Sequence, residues 1–295
     1  MPASVQASAD VVYPVGVTTL VPRFPAEEWG VEVVVAPVTP SLPSPTRDEG
    51  FMQMGPGEFL AIIDGVGRMH VTADRVTLDP DPGHTLAEMD YLVYGWAPRW
   101  IRILREEFTL HASGVVAGDR AIAIMGFSGA GKSTTVTALT RLGYALVVDD
   151  VVPVDIGDGV LTISGWTRPV HLTDEAAAHF GVTDRARVGT VQEAKVAAEL
   201  PSIAGTWPLT TAIELWKDDA ADTVTSHPLT GAGKLQAILN NANSSGMSAG
   251  DGRQHSFFAW ATTLAQEIDV HRVTRPAQGW HLDAVIDRVV DIIEN

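Results

Sequence analysis

Residues 126–133 read G-F-S-G-A-G-K-S, a complete match to the eight-residue pattern G-x-x-x-x-G-K-[ST]. Each residue type has a mechanical reason for its place. Gly126, Gly129 and Gly131 permit backbone conformations closed to other residues and let amide groups approach an oxygen closely. Those amides, with the N-terminus of a following helix, attract phosphate. The Lys132 ammonium can reach the outer phosphates of a nucleoside triphosphate, and the Ser133 hydroxyl can bind Mg²⁺. The segment Gly126, Phe127, Ser128, Gly129, Ala130, Gly131, Lys132, Ser133 and Thr134 is therefore the expected nucleotide-binding stretch. "AIAIM" before it reads as an apolar strand and "STTVTALTRL" after it as a helix, the context such a loop requires. A second string, "GAGK" at 231–234, lacks a suitable preceding strand and a hydroxyl residue after the lysine. It reads as a loop and helix start.

Asp149 and Asp150 follow after fifteen intervening residues, at the end of the strand-like "YALVV". A right-handed crossover through the helix makes that strand run parallel to "AIAIM". Both strands then end at one sheet edge, where ligands bind in open α/β sheets. One acid there could hold Mg²⁺; the second could orient or deprotonate a hydroxyl nucleophile. If "AGDR" is a hairpin turn, Val116 pairs with Ala121, and His111 falls opposite Gly126 at the mouth of the loop. From there it could touch a phosphate or the carboxylate of Asp149.

These groups need elements to carry them. Residues 1–50 are rich in Pro, Ser, Thr and Val, and "VAPVTPSLPSPTRDEG" reads as an extended, mobile segment. "EFLAIIDGVGRMHVTADRVTLDPD" shows short strands broken by glycine turns, a small antiparallel unit. "TLAEMDYLVYGWAPRWIRILREE" reads as helix interrupted between Gly95 and Pro98. From Phe108 onward the pattern is α/β. The helix after the loop places Leu139 and Leu142 on one face and Gly143 at its C′ position. "TDEAAAHFG" has Thr173 as N-cap, acids in its first turn and a stop at Gly181. "TTAIELW" reads as a strand. "GKLQAILNNANSSGMSAGDGRQHS" begins helical and ends as a polar surface loop. The last helix lines up Leu282, Val285, Ile286, Val289, Val290 and Ile293. The expected division is a β-rich region over 1–100 and an α/β catalytic domain over 101–295.

Composition narrows the function. The chain has 295 residues, 45% of them hydrophobic, and a formal net charge of −16. A diffuse acidic surface repels nucleic acid and anionic membranes, so neither is an expected partner. No cysteine is present, which excludes disulfides, thiolate metal sites and Cys nucleophiles. The first residues lack the pattern of a signal peptide and no apolar run reaches the ~18 residues of a span, so a cytoplasmic protein is expected.

"LHASGVVAGDRAIAIMGFSGAGKSTTVTALTRLGYALVVDDVV" resembles the catalytic domain of bacterial HPr kinase/phosphorylase and its shorter relatives, including those of lasso-peptide biosynthesis clusters. "SGWTRPVHL", "TTAIELW", "FFAWATTLAQEI" and "DVHRVTRP" resemble later segments of the shorter relatives. The resemblance spans roughly residues 80–295. It implies a P-loop kinase core with a mixed sheet and flanking helices, with Mg²⁺ and ATP as cofactors and GTP left open. It further implies Lys132 on phosphate, Ser133 and Asp150 on the metal, Asp149 as the base, and His111 in support. The family's Glu-x-Arg-Gly segment is absent here; "TRPVHL" takes comparable space, with Arg168 a candidate charge stabiliser. Its absence removes the basis for expecting HPr itself as acceptor, the reverse phosphorylase activity or the family's hexamer, though a homo-oligomer stays open.

Three functions are thus open. The first is γ-phosphate transfer to a hydroxyl of a peptide, protein or small molecule. The second is an ATPase or nucleotide switch with water as acceptor, although the Asn-Lys-x-Asp motif of switch GTPases is absent. The third is a degenerate binding module.

Overall fold

The computed structural model describes residues 29–157, 159–165, 169–182, 187–188, 195–243 and 253–295. Arg168 and the polar stretch expected after the helix at 231 lie outside them. The described residues fall into two units: 29–107 with Arg253, and 108–243 with 254–295.

The first unit is a six-stranded sheet and two short helices. Its strands are β1 (Glu32–Val35), β2 (Arg47–Asp48), β3 (Met52–Gly55), β4 (Glu58–Ile63), β5 (Gly67–Thr72) and β6 (Arg75–Pro80), in the order β1-β6-β5-β4-β3-β2. Only β1 and β6 pair in parallel. Two helices follow, α1 (Asp90–Gly95) and α2 (Ala97–Leu104), and the break falls at Trp96, where Pro98 cannot continue a preceding hydrogen-bond ladder. Trp100 stacks on Phe59 with ring centroids 4.9 Å apart, and both are buried. The proline-rich stretch expected to be mobile is pinned along its described length. Leu42 is buried, its amide donates to Gln53 Oε1 at 2.8 Å, and Arg47–Asp48 pairs with β3. The boundary expected at residue 100 falls inside α2.

The second unit carries β7 (Thr109–Leu110), β8 (Ala112–Ala117), β9 (Arg120–Met125), α3 (Lys132–Arg141), β10 (Ala145–Asp149), β11 (Val152–Gly157), β12 (Val160–Ser164), β13 (Val170–Leu172), α4 (Asp174–His179), β14 (Arg187–Val188) and β15 (Lys195–Ala198). Then come β16 (Thr206–Asp218), β17 (Thr225–Pro228), α5 (Gly231–Asn241), α6 (Gln254–Glu267), β18 (Asp269–Pro276) and α7 (Leu282–Glu294). The result is a mixed α/β fold. Its main sheet has nine strands in the order β10-β8-β9-β16-β12-β11-β7, with β18 also paired to β16 and β17 to β18. β9, β16 and β18 are mutually parallel, while β8 is antiparallel to both β9 and β10. Four strands, β10, β9, β16 and β18, therefore point their C-terminal ends to one edge. β13, β15 and β14 make a separate three-stranded sheet.

β10 runs in the expected direction, but it does not lie next to β9. The tight β8–β9 hairpin occupies that edge first, so β10 adds outside β8. The strand expected over 109–116 is also split at His111, with β7 pairing with β11 while β8 pairs with β9 and β10.

The core around β9 is aliphatic. Val115, Ile122, Ile124, Ile213, Leu215 and Val273 from the sheet meet Val136 and Leu139 of α3 and Val285, Val289 and Ile293 of α7. Ile286 and Val290 pack against the same core half-buried. Thr173 caps α4 as expected, its hydroxyl accepting from the Ala176 amide at 3.3 Å. Leu142 does not join the buried face of α3; it is the C-cap residue and 60% exposed. Gly143 takes the left-handed C′ position at φ 100, with Tyr144 N bonding Leu139 O and Gly143 N bonding Thr140 O. Those two bonds wind the chain off the helix axis and carry Leu142 away from the sheet. Among the described residues, no helix is long and apolar enough to cross a membrane.

Candidate active site

The loop from Gly126 to Gly131 joins the end of β9 to the first residue of α3. Gly126 sits at φ 149, and a Cβ there would lie 2.8 Å from Leu215 O and 2.8 Å from the Ala130 side chain. The chain leaves the sheet so close to β16 that only glycine fits. Gly131 is the N-cap of α3 at φ 112. These conformations turn the backbone so that the loop wraps over the N-terminus of a ten-residue helix, which carries partial positive charge.

Lys132 is the first residue of that helix and is 7% exposed. Its ammonium folds back and donates to Gly126 O at 2.7 Å. Burial lowers its pKa first; the charges of Asp150 and Asp149 oppose the shift and Lys195 adds to it. Ala130 is buried, Ser133 and Thr134 are half-buried, and Phe127, Ser128 and Gly129 are exposed. Phe127 leans on Trp216 with centroids 5.8 Å apart.

Asp149 and Asp150 end β10 but face different partners. Asp149 is 3% exposed, and its Oδ1 accepts a hydrogen bond from Ser113 Oγ at 2.5 Å. Ser113 is its register partner on β8, so the two side chains share a face. Asp150 has φ 73, a conformation that a non-glycine residue adopts only where the surroundings impose it. The left-handed turn swings its side chain, 29% exposed, toward His111, whose Nε2 lies 3.3 Å from Asp150 Oδ1. The expected hairpin register holds: Val116 faces Ala121 and Ala112 faces Met125, which leaves His111 at the level of Gly126. Of the partners open to it, a phosphate or the Asp149 carboxylate, neither is what the structure records for the imidazole: its ion-pair contact is with Asp150.

Residues that the sequence gave no reason to select also gather here. Glu214, register partner of Met125, is fully buried; Arg272 Nη2 lies 2.7 Å from its Oε2, and Asn241 Nδ2 donates to its Oε1 at 3.0 Å. The Asn241 carbonyl in turn accepts the His111 backbone N–H at 2.6 Å. Arg272 also lies over the Trp216 ring, 4.7 Å from its centroid. Lys217 reaches to within 3.8 Å of where a Gly129 Cβ would stand. Arg275 Nη2 lies 3.5 Å from Ala130 O, and its pKa is lowered by burial. The sequence signals were an acid inside an apolar strand, "IELW", and basic residues in the C-terminal halves of two strands. Strand order was needed to bring them together.

Among the described residues no cluster of three His, Asp or Glu could hold a metal ion alone. Ser133, at the second position of α3, and Asp150 are the side chains that would hold Mg²⁺.

No family model and no curated protein matches the chain. Among solved structures it is similar to the HPr(Ser) kinase/phosphatase from Coxiella burnetii. That similarity covers 62% of this chain and 90% of that one, at 15% identity and a TM-score of 0.33. Similarity at this level identifies neither an activity nor a substrate.

Proposed function

We propose that the chain is a Mg²⁺-ATP-dependent phosphotransferase that moves the γ-phosphate to a hydroxyl, of Ser or Thr in a peptide or protein. The observation that carries the reading is convergence. The glycine loop with its buried Lys132, the two carboxylates with separate partners, and His111 all stand at one sheet edge. A binding module would need the loop but not two acids and an imidazole beside it.

The chain's residues divide the work. Loop amides and Lys132 hold the phosphates, and Lys132 exchanges its bond to Gly126 O for phosphate oxygen. Mg²⁺, held by Ser133 and Asp150, would supply charge neutralisation across the outer phosphates. Asp149 accepts the proton of the acceptor hydroxyl, with Ser113 fixing the carboxylate plane. The acceptor oxygen forms its bond to γ-phosphorus, the bond to the β,γ-bridging oxygen breaks, and ADP leaves with that electron pair. His111 supports the acceptor side through Asp150.

A second reading exchanges the two acids. Asp150 is accessible and beside an imidazole, whereas Asp149 is almost fully covered. An acceptor must reach its base within hydrogen-bond distance, which favours Asp150 for that role. GTP in place of ATP and a small-molecule alcohol as acceptor are further outcomes of one experiment. That experiment supplies [γ-³²P]ATP or GTP with Mg²⁺, Ser/Thr peptides and small alcohols, and follows the label. Label on an acceptor supports the proposal; label only in inorganic phosphate replaces it with an ATPase; no turnover with tight binding replaces it with a binding module.

A further inference from the structure

The chain has 36 acids against 20 bases. Two of those bases stand at the loop. Lys217 and Arg275 are register partners on the parallel strands β16 and β18, so they project to one side of the sheet. That side also carries Ile213, Leu215 and Val273, the face covered by α3. Both stand past the level of Gly126, since Met125 pairs with Glu214 three residues before Lys217. Neither has a carboxylate within 4.0 Å among the described residues. Arg275 is spent on the loop backbone at Ala130 O and its own neighbour Pro276 O at 3.1 Å. Lys217 is exposed, with its ammonium 3.8 Å from the Gly129 Cβ position.

The geometry points to Lys217 as a γ-phosphate-binding residue that reaches the loop at Gly129, with Arg275 holding the loop backbone at Ala130 O. This rests on the phosphotransferase reading above. Gly129 lies in the middle of the loop whose amides cradle phosphate oxygens, so an oxygen held there is within reach of a lysine stem. A flexible ammonium can follow the γ-phosphoryl group as charge redistributes over its oxygens during transfer. The identity of the ligand follows: a nucleoside triphosphate, in preference to a diphosphate.

The test is calorimetry on the full chain with Mg²⁺ and two probes, ADP and the β,γ-imido analogue of ATP. Wild type should bind the analogue more tightly. Lys217→Met should lose at least ~10-fold of analogue affinity while its ADP affinity stays within ~3-fold, as expected for one charge-assisted contact. Lys217→Arg should keep the preference. Near-UV circular dichroism and the melting temperature should match wild type, because the side chain is exposed. Unchanged analogue affinity in Lys217→Met, or equal losses for both probes, overturns the assignment while leaving the loop's role standing. If wild type binds neither probe, the phosphotransferase reading itself fails, and Lys217 with it.

Discussion

His111 Nε2 stands 3.3 Å from Asp150 Oδ1, at the point where the chain breaks between β7 and β8. Two backbone features create this contact. The His111 N–H is held by Asn241 O, and Asp150 adopts a left-handed conformation that turns it away from its buried neighbour. The pair stands just before β8 and just after β10, at the sheet edge that also carries Gly126.

His111→Ala is expected to lower phosphoryl transfer ~10²-fold, within the range of general acid–base and supporting groups. Nucleotide affinity should change little, since the loop and Lys132 are untouched. Because His111 is half-exposed and its backbone N–H survives the substitution, the melting temperature should hold. Unchanged turnover with a lower melting temperature would show that the imidazole is structural.

The placement of His111 was legible because a two-residue turn between two apolar strands fixes the hairpin register, and counting outward then needs nothing else. Which aspartate it meets was not legible, because a positive φ at Asp150 depends on the surrounding fold. The loop, Thr173 as a cap and the face of α7 were readable from local spacing alone. Lys217 and Arg275 were not, since only the parallel pairing of β9, β16 and β18 brings residues so distant in sequence to one edge. Leu142 was misread for a related reason: helical periodicity placed it on the buried face, but the helix ends there.

Burial holds the Lys132 ammonium below the usual lysine range. The sign of its effect follows from proton counts. Between the depressed folded value and the ordinary one, the unfolded chain binds more protons, so this group's contribution to stability rises with pH there. Nucleotide affinity moves the other way. It needs the charged amine, so affinity for Mg-ADP should fall as pH climbs through the depressed value, starting below the pH expected of a free lysine. Calorimetry in two buffers of different ionisation enthalpy should detect proton uptake on binding over that alkaline limb. Lys132→Ala should lose at least ~50-fold in affinity and abolish the limb. Wild-type affinity in that variant would remove the loop from the site.

Glu214 is fully buried between Arg272 and Asn241. Removing the buried carboxylate leaves Asn241 Nδ2 and a quarter-exposed Arg272 without that partner, at a cost of about 1–3 kcal/mol. Glu214→Ala should therefore lower the melting temperature and release Asn241, whose carbonyl anchors His111. Glu214→Gln keeps the shape and the bond from Asn241 while losing the charge. It should recover part of the stability, and chemical denaturation of the two variants measures the difference. Equal stability of wild type and Glu214→Ala would show that the buried pair contributes nothing net.

The two aspartates give the sharpest separation. Asp149 is pinned by Ser113 on the covered face of β10, and Asp150 turns out to meet His111. If Asp149 is the base, Asp149→Asn keeps nucleotide and Mg²⁺ binding but loses transfer ~10²–10⁴-fold, because an amide of the same size takes no proton near neutral pH. Asp150→Asn then raises the Mg²⁺ concentration needed for activity, and excess Mg²⁺ restores part of the rate. Ser113→Ala adds a third measurement: it frees the Asp149 carboxylate from its hydroxyl donor, so transfer should fall while the Mg²⁺ dependence stays put. The assay is γ-phosphate transfer to a Ser-containing acceptor with a Mg²⁺ titration for each variant. The opposite pattern, with Asp149→Asn rescued by Mg²⁺ and Asp150→Asn inactive at every concentration, assigns the base to the accessible acid beside His111. Wild-type transfer rates in both variants would take the proton from neither carboxylate and leave the paired acids without a catalytic role.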